Sequence, residues 1–546
     1  MVRGKLRVQA DMRFFNLPAT SPDNKPGFAD AQSCSAWLQT LPLINVAPAQ
    51  GALLAHLEEL NTFTLAASVR LKILELLREP IFFVQTELAK KFSARAIPLA
   101  KHEREIFLNV TALWDALGQG YQHCLEAVAA GELIGEGAIC CQRALDCVAQ
   151  KLNEYYKACQ DLEPDDWQLA HTLYVFAEEH GLEQIAVSDP LGQATTLTTP
   201  KQTWLRMLLL NLATSNEQSP RQITMIAKWL ERWTEKVTVS AEANTSGLPQ
   251  LTVNLAGSAG ASRTPLSAVS GARARYLSMD GLAASLKNRI MLLRKGETPQ
   301  SLKLGDDCVQ PFCEKTLLQL YRQWCEPNNT RDQARSNASN PAQVACSIAG
   351  IHHYISGLPF KQPGSTRELS SKERQEIATF GRIATRAEND YSHIHGYAVE
   401  LWTLLDESLT GLRMMRAADK PGMRLAQGQL VGIRPGNSRH FMLCAVRRLL
   451  STRGMDITAG VRIIPGVPQA VAVKPTGINA AAEKFVPALA LPEVTALRSP
   501  ASLLLPTGWF RAKRVIAVWH EAPQEVMLTT LLERGVDFER VSFEAK

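Results

Sequence analysis

The chain has 546 residues, which is more than one ordinary domain holds, so two to four folded units are expected. Hydrophobic residues make up 46% of the sequence and charged residues 21%, a composition typical of a soluble globular protein with a large buried core. The formal net charge of +6 is small for this length and argues against a nucleic-acid coat protein, so no DNA partner is expected.

Neither a membrane span nor an export signal is predicted. No run of about eighteen uncharged apolar residues occurs in the sequence. The opening residues MVRGKLRVQADMRFFNLP are basic but lack the continuous apolar stretch of a signal peptide. The eleven cysteines are scattered without a Cys-x-x-Cys motif, and Cys141 and Cys159 fall at apolar helix positions. This pattern predicts reduced, buried thiols in a cytoplasmic protein, with neither a disulfide framework nor a zinc site.

The first predicted domain is helical and covers residues 1–237. Between Gly51 and Val237, apolar residues recur every three or four positions, which is the spacing of helices with one buried face. The clearest stripe consists of Leu145, Val148, Leu152, Tyr155 and Cys159. Further helices are predicted around Leu53–Leu77, Leu169–Phe176, Trp204–Leu212 and Ile226–Trp233. We expect a helical bundle or irregular helical array that serves as a scaffold or docks a partner.

The second predicted region, residues 238–326, is mixed. The stretch KVTVSAEANTSGLPQLTVNLAG alternates briefly and is rich in Gly, Ser and Ala, which predicts a short β segment with a flexible loop. Two helices are expected to follow, at Leu282–Leu293 and Phe312–Trp324, because Gly296 and Pro327 provide stop signals after them.

The rest of the chain is predicted to be β-rich, which makes the fold class α+β with one or more C-terminal antiparallel β-barrels. Short strands separated by Gly/Pro turns indicate a barrel or meander over residues 327–480, with a charged helical insert around residues 361–390. Its candidate strands are one within AQVACSIAGIHHYI, followed by YAVELWTLL, MRLAQGQLVGI, RHFMLCAVRRLL, AGVRIIPG and QAVAVK. Residues 481–546 are predicted to add further strands.

One candidate binding motif is a pair of arginines just before these strands. Arg331 and Arg335 lie four apart in NNTRDQARSNASNP, where the Asn, Ser and Pro residues favour a loop. The planar guanidinium group donates pairs of hydrogen bonds to phosphate oxygens and to the O6/N7 edge of guanine. The loop is therefore a candidate phosphate-binding segment.

A second candidate motif, DESLTG, follows the strand that ends at Leu405. Asp406 and Ser408 are two residues apart, so in extended chain their side chains point to the same face. A carboxylate can accept hydrogen bonds from the Watson–Crick edge of guanine, and a hydroxyl can donate or accept. Gly411 permits a sharp turn or a close approach of the backbone to a ligand.

An Arg-x-x-x-Arg loop before a barrel, followed by Asp-x-Ser-x-x-Gly at a strand end, resembles the PilZ domain. That family is a small antiparallel β-barrel that binds the bacterial second messenger cyclic di-GMP. The resemblance implies that Arg331 and Arg335 bind phosphates and guanine edges, while Asp406 and Ser408 contact a guanine and Gly411 leaves room for the nucleotide. It implies cyclic di-GMP as the ligand, with no metal and no other cofactor.

The resemblance covers about residues 320–480 and departs from the family in one respect. Arg335 and Asp406 are much farther apart here than in ordinary PilZ domains. A second pair, Arg382 and Arg386, lies at the usual distance, but in a helix-prone stretch where a solvated face also explains it. We favour the first pair because strand-like sequence follows it, and keep the second as the alternative.

By this resemblance the protein is a cyclic di-GMP receptor and not an enzyme. Long PilZ proteins act in bacterial surface attachment, motility or type IV pili, so the expected partners are proteins of the pilus or motility machinery. The first alternative is an interaction scaffold with a degenerate barrel that binds no nucleotide. A second is a metal-dependent phosphodiesterase that uses His393 and His395, with Asp390, His352 and His353 nearby.

Overall fold

The computed structural model describes residues 14–192, 194–213, 217–244, 248, 250–263, 273–326, 336–337, 339–363, 397–477 and 483–546. The chain divides into two compact units. The first consists of Met1–Arg95 and Leu99–Thr330, and the second consists of Ala96–Pro98 and Arg331–Lys546.

Unit 1 is built mainly from helices. They are α1 (Ala31–Thr40), α2 (Val46–Thr62), α3 (Ala67–Ala89), α4 (Lys101–Ala129), α5 (Gly137–Lys157), α6 (Pro164–Glu179), α7 (Pro200–Leu212), α8 (Pro220–Trp233), α9 (Asp280–Arg294) and α10 (Phe312–Cys325). Helices α7 and α8 both begin with a capping box, in which Thr199 and Ser219 accept backbone N–H bonds just before a proline. Among the described residues, no helix combines the length and the apolar composition needed to cross a bilayer.

The helical prediction for residues 51–237 is confirmed, with one boundary corrected. The segment Leu53–Leu77 is two helices, α2 and α3, because the chain turns extended at Phe63 after a run of weak helix formers. In α5, the predicted stripe is buried from Leu145 to Tyr155, whereas Cys159 lies beyond the end of the helix.

The tryptophans of the later helices belong to the core of unit 1. Trp229 and Trp233 on α8 are almost fully buried, together with Trp204 and Trp324. The indole N–H of Trp229 donates to the Leu304 carbonyl at 2.8 Å, so its polar atom is satisfied. These rings are therefore structural.

The prediction of reduced cysteines is wrong for one pair. Cys308 and Cys313 form a disulfide with their Cα atoms 5.2 Å apart, just where the chain enters α10. A Cys-x-x-x-x-Cys spacing belongs to no common disulfide or metal motif, so the sequence carried no signal for it. The nine other cysteines are free thiols, and all except Cys159 are buried.

Two small sheets complete unit 1. Strands β1 (Val187–Ser188) and β2 (Leu197–Thr198) pair with each other, while β3 (Thr238–Ser240), β4 (Leu251–Asn254) and β5 (Ala274–Ser278) form an antiparallel sheet in the order β3-β5-β4. The short β segment predicted after residue 237 is thus present.

Unit 2 contains two barrels, and the first is the one expected to carry the ligand site. Its elements are β6 (Ser336–Asn337), β7 (Pro341–Cys346), α11 (Ile348–Ser356), β8 (Val399–Ser408), β9 (Gly411–Arg416), β10 (Leu430–Pro435), β11 (Met442–Ser451) and β12 (Ile457–Ile463). The sheet order is β6-β8-β7-β10-β11-β12-β9, and a β8–β9 pairing closes a ring of six strands. This is the first barrel.

The strand predicted within AQVACSIAGIHHYI is present as β7, and the rest of the stretch is helical. Helix α11 begins immediately afterwards because Ser347 caps it, with its hydroxyl accepting from the Gly350 N–H at 3.1 Å. The helix ends at Gly357, which adopts a left-handed conformation with φ of 68°.

The second barrel is closed by six antiparallel strands in the order β13-β14-β15-β18-β17-β16. They are β13 (Gln469–Pro475), β14 (Val486–Leu491), β15 (Ser502–Leu505), β16 (Val515–Trp519), β17 (Pro523–Arg534) and β18 (Glu539–Ala545). Helix α11 packs between the barrels, in a core that includes Ile351 of the helix, Leu443 of β11 and Leu489 of β14. The predicted α+β class with C-terminal antiparallel barrels is confirmed.

A three-residue segment from the connection between α3 and α4 belongs to unit 2. The backbone N–H and carbonyl of Ile97 bond to the carbonyl and N–H of Leu425, both at 2.8 Å. The Arg424 guanidinium also donates to the Ala96 carbonyl. Ile97 is fully buried there.

Candidate functional site

Asp406 lies near the end of β8, where a β-bulge changes the direction of its side chain. Leu404 pairs with Met414 of β9, whereas Asp406 pairs with Arg413, so Leu405 is the extra residue. Leu404 and Met414 are buried inside the barrel, while Arg413 is exposed. Because directly opposite residues share a face, Asp406 lies on the outer face with Arg413.

Asp406 forms an ion pair with this neighbour. The Arg413 Nε lies 2.7 Å from the Asp406 Oδ2. The aspartate side chain is only 9% exposed, whereas that of the arginine is 47% exposed. The carboxylate is therefore held in place at the barrel surface by a cation that faces solvent.

Ser408 shares the outer face with Asp406. The register is regular from Asp406 to Ser408, so the two side chains point the same way, as their spacing predicts. The Ser408 hydroxyl donates to the Gly411 carbonyl at 3.1 Å across the β8–β9 hairpin. The hydroxyl thus fixes the hairpin while its oxygen keeps lone pairs that can accept a bond from a ligand.

Gly411 lies where the backbone of the neighbouring strand β12 approaches closely. A Cβ at this position would lie 2.6 Å from the carbonyl oxygen of Val461 on β12. The residue directly opposite Gly411 is Arg462. The glycine therefore permits close approach of protein backbone, which is a structural role independent of the predicted ligand role.

The two predicted arginine pairs, Arg331 with Arg335 and Arg382 with Arg386, lie outside the described residues, as does the predicted helical insert from residue 364 onward. Strand β6 follows directly after Arg335 in the sequence and pairs with the end of β8. Ser336 is opposite Glu407, and Asn337 is opposite Asp406. The chain that follows Arg335 in the sequence thus runs beside the DESLTG motif.

Only some of the residues proposed for a metal-dependent phosphodiesterase lie in the part of the chain that the structure describes. His352 and His353 lie on α11, whereas His393, His395 and Asp390 fall outside the described residues. Within the ranges that the structure describes, no group of three or more His, Cys, Asp or Glu side chains is arranged to hold a metal ion. His352 is buried, and burial lowers its pKa to about 4.

The sequence analysis did not identify Arg413 and Arg462 on the outer face of the first barrel, nor Glu533, which contacts Arg462. Glu533, on β17 of the second barrel, accepts from the Arg447 Nη2 at 2.8 Å and from Arg462. Strand alternation in GLRMMR signals an outward Arg413. Nothing in the sequence connects Arg462 with Glu533, because they lie in different barrels.

Two parts of the chain match known domain families. Residues 32–244 match the model described as "Cyclic-di-GMP receptor FimW, N-terminal domain". Residues 471–545 match the model described as "FimW C-terminal beta-barrel domain". The first range lies in the helical unit and the second covers the second barrel, so the first barrel falls between the two matched ranges.

A curated relative extends this similarity along most of the chain. The cyclic-di-GMP receptor FimW of Pseudomonas aeruginosa is 23% identical over 527 residues, covering 88% of this chain and 84% of the relative. The two matched domains also occur here in N-to-C order. The chain is therefore similar to the FimW cyclic-di-GMP receptor in its helical N-terminal part, in its C-terminal barrel and over 88% of its length.

Proposed function

We propose that this protein is a receptor that binds cyclic di-GMP on the outer face of its first barrel. The observation that carries the proposal is the similarity to a cyclic-di-GMP receptor over 88% of the chain. The resemblance of the barrel motifs to PilZ domains points to the same ligand. A scaffold with a degenerate barrel is the less favoured hypothesis, because it does not explain the similarity to a protein that binds cyclic di-GMP.

The described geometry supports Asp406 and Ser408 as ligand contacts. Both side chains lie on the outer face of the first barrel, two residues apart on β8. The carboxylate offers two oxygens to the N1–H and N2–H donors of guanine. Asp406 is already oriented by Arg413 at 2.7 Å, so a bound guanine would share the carboxylate with that arginine.

Chain connectivity supports Arg331 and Arg335 over Arg382 and Arg386 as the phosphate-binding pair. Ser336, the next residue after Arg335, pairs with Glu407 beside Asp406. The segment that contains the second pair precedes the start of β8 at Val399. Val399 is seven residues before Asp406, which is about 23 Å along the strand.

As a receptor, the protein would act by shifting a conformational equilibrium and not by catalysis. Cyclic di-GMP would bind one arrangement of unit 2 more tightly than another and so change the population of that arrangement. The output would be altered binding of a protein partner, which we assign to the pilus or motility machinery of a bacterial cytoplasm. The helical unit is the proposed docking surface.

Calorimetric titration of the purified protein with cyclic di-GMP tests the proposal. We expect saturable binding by the wild-type protein. The affinity should fall about 10- to 100-fold in Asp406→Asn, since hydrogen bonds to a charged group contribute about 1.5–3 kcal/mol. Glu407→Gln, next along the same strand but pointing to the other face, is the matched control and should bind as the wild type does. Absence of binding to the folded wild-type protein would favour the scaffold.

A further inference from the structure

Arg462 lies on the outer face of the first barrel, directly beside the proposed ligand contacts. In the sheet, Ser408 is opposite Gly411, and Gly411 is opposite Arg462. The neighbouring residues Leu412 and Val461 are opposite each other and buried inside the barrel. Ser408, Gly411 and Arg462 therefore form one row across three strands on the same face, about 10 Å from end to end.

Arg462 is held by a carboxylate of the second barrel. Its Nη2 contacts the Oε2 of Glu533, while the other oxygen, Oε1, accepts from the Arg447 Nη2 at 2.8 Å. Glu533 thus bridges two arginines, each bound through one carboxylate oxygen. The side chains of Arg447 and Arg462 remain 51% and 35% exposed, so solvent reaches both.

A third arginine faces the same carboxylate. Arg540 on β18 is the cross-strand partner of Glu533, and it donates to the hydroxyls of Ser502 and Ser499 at 2.9 and 2.6 Å. Burial lowers the pKa of Arg540, and Glu533 offsets that effect while Arg462 adds to it. Glu533 therefore binds two guanidinium groups and lies beside a third.

Two arginines that share one carboxylate form an anion-binding arrangement. Two guanidinium groups that grip the two oxygens of a carboxylate present the same donors that grip two phosphate oxygens. The Glu533 side chain is itself 16% exposed, so both ion pairs lie at the protein surface, where another anion can reach the two arginines. A phosphodiester could replace Glu533 without disturbing the barrel core.

We propose that Arg462 and Arg447 form an additional phosphate-binding position of the ligand site, which Glu533 occupies when no ligand is bound. This inference rests on the proposed function. A cyclic dinucleotide carries two phosphodiester groups in one ring, so a ligand bound at Asp406 and Ser408 can present a phosphate along the row toward Arg462. Glu533 then acts as an internal competitor that lowers the affinity, and its release from the first barrel accompanies binding.

Calorimetric titration of the full chain with cyclic di-GMP tests this in four variants. We expect Arg462→Gln to weaken binding about 10- to 100-fold, which is the effect of losing a charge-assisted contact. We expect Glu533→Gln, which removes the competing charge but keeps the shape, to tighten binding several-fold. Arg439→Gln, an exposed arginine of the same barrel, is the matched control and should leave affinity unchanged. Asp406→Asn reports on the proposed function itself.

The salt dependence of the dissociation constant separates a ligand contact from a structural role. If Arg462 binds a phosphate, Arg462→Gln should flatten the dependence of affinity on salt concentration, whereas a merely misfolded variant would lose binding without a defined slope. Wild-type binding that Asp406→Asn weakens but Arg462→Gln does not would overturn the inference and leave the receptor intact. Absence of wild-type binding would overturn both.

Discussion

Arg416 and Glu400 form a buried ion pair within the first barrel, with the arginine Nη1 2.6 Å from the glutamate Oε2. The same oxygen accepts from the indole N–H of Trp402 at 2.9 Å, and the same Nη1 donates to the Met423 carbonyl at 3.0 Å. The Met423 N–H donates to the other glutamate oxygen. This network ties β8, β9 and the connection that follows β9 together.

Breaking this pair should destabilise the first barrel strongly. Glu400→Ala leaves the buried Arg416 charge without its carboxylate, and such losses cost about 3–5 kcal/mol. The free energy of unfolding, measured with urea and followed by circular dichroism, should fall by this amount. Lys420→Ala, which breaks the exposed pair with Asp419 after β9, should change it by less than about 1 kcal/mol. Equal effects of the two substitutions would contradict the assigned role of burial.

Gly411→Ala should lower the stability of the first barrel even without ligand. The new Cβ would lie 2.6 Å from the Val461 carbonyl oxygen, which is backbone and cannot swing aside. We expect the free energy of unfolding, measured with urea, to fall by about 1–3 kcal/mol because of overpacking. Gly454→Ala is the matched control, because its nearest neighbours lie 3.9 Å away. A stable Gly411→Ala protein with impaired binding would instead assign the glycine to the ligand.

The two arginine pairs should differ in their effect on ligand binding. We expect Arg331→Ala/Arg335→Ala to abolish measurable binding of cyclic di-GMP, since two charge-assisted contacts are lost. Arg382→Ala/Arg386→Ala removes the same number of charges from the same unit and should leave the dissociation constant nearly unchanged. Titration of both double variants decides the matter. Loss of binding with only the second pair altered would keep the function and move the site.

Reduction of the Cys308–Cys313 disulfide should destabilise unit 1 modestly. The bond closes a loop with a sequence separation of 5. In the chain-entropy model, such a small loop contributes about 2 kcal/mol. Cys308→Ser/Cys313→Ser should show this loss in urea unfolding, and adding reductant should have no further effect on that variant. A reductant effect of the same size in wild type and variant would exclude this disulfide as its cause.

Acid should destabilise the packing of α11 between the barrels. Burial, followed by the neighbouring His353, lowers the pKa of His352 to about 4. The unfolded state, with a pKa near 6.5, then takes up a proton before the folded state does. Stability is therefore full above about pH 6.5 and is lost progressively toward pH 4, by about 3 kcal/mol. Urea unfolding between pH 7 and 4 should show a slope that His352→Gln reduces and the exposed His440→Gln does not.

Periodicity predicted much of the fold because it reports burial directly. The stripe on α5 appears in the structure as a buried face. The strand predicted at YAVELWTLL is present as β8, but its buried face includes Glu400 while Leu401 is exposed. A spacing rule could not reveal the bulge after Leu404, which places Asp406 outside while Leu404 stays inside. It also could not pair Arg462 with Glu533, because 71 residues separate them and only the packing of two barrels brings them together.

The docking of Ile97 against Leu425 means that the polypeptide passes between the two units three times, and not once. A fragment that begins at Arg331 would retain both barrels but lose Ile97, the backbone partner of Leu425. The N–H and carbonyl of Leu425 would then be open to pairing with another chain. Such a fragment should self-associate unless a peptide spanning Arg95–Leu99 is added. This short connection therefore determines whether unit 2 can be isolated as a monomer.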